Sequence, residues 1–124
     1  MVIGIGIDLI EHERIKNISN LEMFVKKHFT LSEQELFLKK TGSAYYKTIA
    51  NCFASKEAFS KALGTGVRGF NLNEVEVLRD KIGKPYINLY GNAKDIFESC
   101  GGKKIFVSIT DTNVYSSAAA LIEG

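Results

Sequence analysis

The chain has 124 residues, of which 45% are hydrophobic and 24% charged, and its formal net charge is +2. That size and balance fit one globular domain over residues 1–124 and exclude a disordered chain. The weak positive charge permits an acidic partner, but it is too small, with no recognisable motif beside it, for a nucleic-acid binder.

Residues 2–9 alternate, with Ile3, Ile5, Ile7 and Leu9 on one side and Gly4, Gly6 and Asp8 on the other. A period of two predicts a half-buried strand, continuing irregularly toward Ile15. Two glycines weaken a strand unless something approaches its backbone closely, so a helix is expected on the bare face that ends in Asp8. Ser19 followed by Glu22, and Thr30 followed by Glu33, read as capping boxes. They open two short helices, the second ending near Lys40. After Gly42 a long helix is expected from about Ala44 to Leu63. Strands are expected at Leu72–Leu78 and Tyr86–Leu89, separated by a turn over Asp80–Pro85. A helix over Asn92–Cys100 ends at Gly101-Gly102. Residues 104–109 and 114–122 then read as an antiparallel hairpin joined by Asp111-Thr112-Asn113. Helices and strands mix without a βαβ rhythm, which favours an α+β fold: a long central helix on a small antiparallel sheet.

No stretch is apolar enough to cross a bilayer, and residues 1–10 carry Asp8 and no basic segment. A cytoplasmic protein without membrane contact is expected. Cys52 and Cys100 match no metal spacing and read as free thiols. His12 and His28 are the only histidines, and neither has the neighbours of a zinc site.

The long helix places its charges oddly. On a helical wheel Tyr46, Ala50, Phe53 and Ala54 define an apolar arc, and Glu57 and Lys61 fall inside it. Four apart with the glutamate first, they fit either an ion pair at the edge of the arc or a functional carboxylate in a cleft. A carboxylate removed from water needs a cation nearby. Asp8, on the bare face of the strand, is the natural second acid. Two carboxylates can hold Mg²⁺ when water and phosphate oxygens complete its shell.

Gly64-Thr65-Gly66 follows the helix. It is either a plain helix stop or a segment offering backbone N–H groups and a hydroxyl to phosphate, flanked by Lys61 and Arg68. It is not a P-loop, and Gly4-x-Gly6 is not a dinucleotide fingerprint. Lys84 lies in a turn, either solvated or touching an anion. Ser108, Thr110 and Asp111 either cap the hairpin turn through local bonds or face a ligand.

Together the stretches GIGIDLIEHERI (4–15), FASKEAFSKALGTGVRG (53–69), GKP (83–85) and SITD…Y…A (108–118) resemble the holo-(acyl carrier protein) synthase family. These are the small bacterial 4′-phosphopantetheinyl transferases. The resemblance spans nearly the whole chain in the family's order, and its first two segments are specific in combination.

The resemblance implies an enzyme that moves the 4′-phosphopantetheine of coenzyme A onto a serine of apo acyl carrier protein and releases adenosine 3′,5′-bisphosphate. It implies Mg²⁺ on Asp8 and Glu57, and coenzyme A contacts from Lys56, Lys61, Gly64, Thr65, Gly66, Lys84, Pro85, Ser108 and Thr110. Lys56 lies well away from Glu57 on the wheel and is expected to reach a different phosphate or the carrier. Arg14 matches the arginine that meets the acidic carrier, with Lys16, Lys26 and Lys27 as further candidates. It implies a homotrimer with sites between subunits, working in fatty acid biosynthesis. One departure stands out: Asp111 occupies a position where the family usually has histidine, near coenzyme A phosphate. Glu57, or water held by it, is the first candidate for the proton acceptor, and Asp111 the second. Two other readings are a transferase acting on carrier domains within large synthases and an impaired module that binds coenzyme A without transfer.

Overall fold

The computed structural model describes residues 1–124. Its spine is one long helix, α4 (Ser43–Ala62), covered on two sides. On one side lies an antiparallel sheet in the order β1-β5-β4, formed by β1 (Val2–Glu11), β4 (Lys104–Asp111) and β5 (Tyr115–Glu123). On the other lie α1 (His12–Lys16), α3 (Leu31–Leu38) and β2 (Val75–Arg79), the last paired with β3 (Pro85–Leu89) in a separate antiparallel ribbon. Helices α2 (Leu21–His28) and α5 (Gly91–Ser99) complete the cover. No helix is long and apolar enough to cross a membrane.

The β1 glycines set how closely sheet and helix pack. A Cβ on Gly4 would lie 1.9 Å from the Ala62 carbonyl oxygen, and one on Gly6 would lie 1.9 Å from that of Ala58. Both positions therefore exclude every side chain. Ala54, Ala58 and Ala62 recur every four residues on α4 and meet Ala118 and Ala120, the β5 partners of Asp8 and Gly6. Small residues on both surfaces let the backbones touch. The opposite side of α4 packs on Phe29 and Phe37, whose complete burial contributes about 1.5–3 kcal/mol each.

Several elements differ from the sequence reading. The first strand stops at Glu11 and gives way to the short helix α1, where an irregular strand is expected. Helix α2 is capped by Asn20, not Ser19: Asn20 adopts φ 52° and its side chain accepts from the Met23 amide. Asparagine tolerates that left-handed conformation and still offers a short acceptor, so it displaces the serine one position earlier. Residues 72–74 form a 3₁₀ turn before β2 begins. Asp111 belongs to β4 and pairs with Ser116, so the hairpin turn falls one residue later than expected. The Thr30–Glu33 capping box is present, and both cysteines are free.

The alternation of β1 is kept, with its glycine side inward. Ile5, Ile7 and Leu9 are 70%, 67% and 62% exposed on the far face of the sheet, joined there by Phe106 of β4.

Candidate active site

Packing β1 on the C-terminal half of α4 brings Asp8 beside Glu57. Asp8 is the next inward residue after Gly6, at the point where the glycine face gives way to side chains. Lys61, one turn beyond Glu57, reaches across the strand: its Nζ donates to Asp8 Oδ1 at 3.1 Å and to the Ile7 carbonyl at 3.0 Å. Glu57 is half-buried, and its carboxyl is pushed above the usual range first by that burial and then by the Asp8 charge, against a smaller pull from Lys61. Two carboxylates sharing one exposed lysine form a site short of positive charge.

That deficit is the test of fit for Mg²⁺. The donors are hard carboxylate oxygens, no thiol or imidazole competes, and no group of three or more acidic, His or Cys residues closes a cage. Magnesium suits such a place, because it keeps waters and takes substrate phosphate oxygens beside one or two carboxylates.

The loop after α4 follows directly. Gly64 and Gly66 adopt φ of 83° and 63°, which favour glycine. The Thr65 hydroxyl donates to the Gly66 carbonyl. The amides of Thr65, Gly66 and Val67 donate to no protein acceptor, so they are free to meet an anion next to Lys61.

Other predicted contacts lie elsewhere in the chain. Ser108 and Thr110 point to the open face of the sheet, opposite the face that carries Asp8. Lys84 and Pro85 sit at the start of β3, where Asp80 Oδ1 accepts from the Lys84 amide and shapes the turn. Arg14 and Lys16 on α1, and Lys26 and Lys27 on α2, are exposed. Lys26 is paired with Glu22 at 3.2 Å.

Lys56 departs from its expected role. It is fully buried, and its three ammonium donors go to Glu33 Oε1 at 2.8 Å, the Leu72 carbonyl at 2.8 Å and the Val75 carbonyl at 2.6 Å. A lysine with every donor used and no exposed atom has nothing left for phosphate or carrier. Glu33 is saturated as well: it accepts from the Thr30 amide and Lys56 on Oε1, and from Cys52 Sγ and the Val77 amide on Oε2. Burial, with the Glu33 charge next, pushes the Cys52 thiol well up, which keeps it a donor. The wheel had separated Lys56 from Glu57 correctly; what covers that side of the helix is not written in its period.

Asp111 also stands apart from Asp8 and Glu57. Its Oδ1 lies 3.5 Å from Lys47 Nζ and its Oδ2 accepts from Asn51 Nδ2 at 3.0 Å. Asn51 precedes Glu57 by six residues on α4, about 9 Å along the helix axis. The sequence reading missed Lys47 and Asn51, whose only signal was their place on the turns of α4 level with the end of the hairpin.

Comparison with known proteins identifies the family. A model of the 4′-phosphopantetheinyl transferase superfamily matches residues 4–118. The holo-[acyl-carrier-protein] synthase of Alkaliphilus oremlandii is 43% identical over 98% of both chains. The crystal structure of a holo-(acyl-carrier-protein) synthase from Bacillus anthracis in complex with CoA (3′,5′-ADP) superposes with a TM-score of 0.85 at 30% identity, covering 100% of this chain and 98% of that one. The synthase from Neisseria meningitidis gives 0.88 at 27% identity, covering 100% of both. With the glycine-faced strand, the carboxylate pair beside Lys61 and the open glycine loop all in one frame, this chain belongs to the holo-(acyl carrier protein) synthase family of 4′-phosphopantetheinyl transferases.

Proposed function

We propose that the chain, acting as one domain in the cytoplasm, transfers the 4′-phosphopantetheine of coenzyme A to a serine of apo acyl carrier protein in a Mg²⁺-dependent reaction. The observation that carries this reading is the adjacency of Asp8 and Glu57 beside Lys61 and the free amides of Thr65, Gly66 and Val67.

Each group has a task. Asp8 and Glu57 would hold the metal, which when bound neutralises charge on the pyrophosphate. Lys61 and the loop amides bind pyrophosphate oxygens and stabilise the charge that grows as the phosphoanhydride bond breaks. The carrier serine attacks the β-phosphorus, the new P–O bond forms in line with the old, and adenosine 3′,5′-bisphosphate departs. The serine proton needs an acceptor within hydrogen-bond reach, directly or through one water. Glu57, with its carboxyl held up by burial and Asp8, suits that task better than Asp111, whose oxygens face Lys47 and Asn51. Arg14, Lys16, Lys26 and Lys27 supply exposed positive charge toward an acidic carrier, which favours encounter and register more than raw affinity.

We further propose a homotrimer with sites shared between copies. The far face of the sheet exposes Ile5, Ile7, Leu9 and Phe106, an apolar patch that a second copy would cover. Ser108 and Thr110 share that face, while Lys84 and Pro85 lie on the separate ribbon. Assembly offers a way for these groups to complete a coenzyme A site begun at Asp8 and Glu57 of a neighbour.

The test is direct. Apo acyl carrier protein, coenzyme A and Mg²⁺ are mixed with the protein, and the carrier is weighed by mass spectrometry. A gain of one phosphopantetheine, lost on chelation, is expected. Unchanged mass with several carriers while coenzyme A still binds would establish instead a module that binds without transfer.

A further inference from the structure

Asp111 ends a directed chain of hydrogen bonds. An ionised carboxylate only accepts, so Asn51 turns its amide nitrogen to Asp111 and its oxygen away. That oxygen accepts from Ser116 Oγ at 2.5 Å. With its one proton spent on Asn51, the Ser116 hydroxyl can only accept from the His12 ring, whose Nε2 lies 2.8 Å away and therefore carries hydrogen. The direction is set from the carboxylate end, and every donor points toward Asp111. The chain joins β4, α4, β5 and the first residue of α1.

Helix α1 needs such support. It has five residues, and Glu11 at its N-cap makes no side-chain capping bond. An isolated helix of that length does not hold itself. Its start is held instead by His12 twice, through its amide on the Val114 carbonyl at 2.8 Å and its ring on Ser116. Ile15 is its one buried side chain. The same helix presents Arg14 and Lys16 to solvent.

We infer that His12, Ser116, Asn51 and Asp111 are positioning residues for carrier recognition, fixing α1, and so Arg14, relative to the α4 helix that carries Glu57. This rests on the reading of α1 as part of the carrier surface. It also gives Asp111 a task away from the reacting atoms: its charge polarises the chain and pairs with Lys47.

The test is steady-state kinetics on the full chain with both substrates varied. Ser116→Ala cuts the chain in the middle and is expected to raise the carrier KM about fivefold, the effect of one lost hydrogen bond, with kcat and the coenzyme A KM within about twofold. His12→Leu should behave alike, whereas His12→Gln, which retains an N–H donor, should restore most of the carrier KM. In an Arg14→Ala background Ser116→Ala should add nothing further. A normal carrier KM in Ser116→Ala, or an equal rise for both substrates, overturns the inference while leaving the carrier surface intact. A normal carrier KM in Arg14→Ala alone overturns the carrier surface, and the inference with it. Should Ser116→Ala not fold, the His12→Leu and His12→Gln pair decides: indistinguishable carrier KM values overturn it.

Discussion

Two neighbouring residues of α4, Lys56 and Glu57, place charge in opposite environments. Lys56 faces Glu33 in a fully buried pair whose donors and acceptors are all used, and no buried side-chain nitrogen or oxygen in the chain lacks a partner. Glu57 faces Asp8 in a half-buried pair of like charges, with one exposed lysine bonded to Asp8. Saturation makes the first pair structural, because it can take nothing more. The second has oxygens to spare and too little positive charge, so it is where a cation and a phosphate would be stabilised. Burial alone would have ranked the two sites the wrong way round for chemistry.

The largest expected effect is on the saturated side. Lys56→Met leaves the Glu33 carboxylate buried without its cation and should cost about 3–5 kcal/mol of stability in urea unfolding. Adding Glu33→Gln should recover part of that loss. A Lys56→Met protein that unfolds like the wild type would erase the contrast.

On the open side the expected loss is in rate. Asp8→Ala or Glu57→Ala should lower phosphopantetheine transfer by on the order of a thousandfold, the equivalent of about 4 kcal/mol in the barrier, with the fold kept. Without metal, Glu57→Gln should raise the melting temperature at neutral pH. The sign follows from linkage: a carboxyl raised above its unfolded value is bound by fewer protons in the unfolded state, so ionising it subtracts stability as pH rises through the raised value. A lower melting temperature for Glu57→Gln would mean that the glutamate is a structural partner.

Lys61 sharpens the comparison within one helix. Its side chain is 52% exposed, so Lys61→Met should cost less than about 1 kcal/mol, against the larger cost at Lys56, yet it should weaken use of coenzyme A. The smallest effect is a titration. Asp8→Asn should move the Glu57 midpoint, followed by carboxyl carbon NMR, toward the ordinary glutamate value by removing the second cause of its rise. An unmoved midpoint would show that burial acts alone.

Much of this was legible along the chain. The β1 glycines announced a close approach on their own face, the Thr30–Glu33 box announced a helix start, and the order of the motifs carried the family. These signals are local: each rests on a period, a cap or a run of neighbours. What failed depended on contacts distant in sequence. Lys56 looked like a phosphate ligand because its partners, Glu33, Leu72 and Val75, come from two other segments. Asp111 read either as a cap of the hairpin turn or as facing a ligand because its partners Asn51 and Lys47 come from α4, far from it in sequence.

The sequence by itself determined the α+β class, the helix that carries the site and the faces on which Asp8 and Glu57 lie, since alternation and helical period fix which residues of one element share a face. Only the tertiary structure decided which faces are covered. Whether a charge is sealed, as at Lys56, or left open, as at Glu57, depends on what packs against it, and a one-dimensional pattern gives the direction of a side chain but not its neighbour.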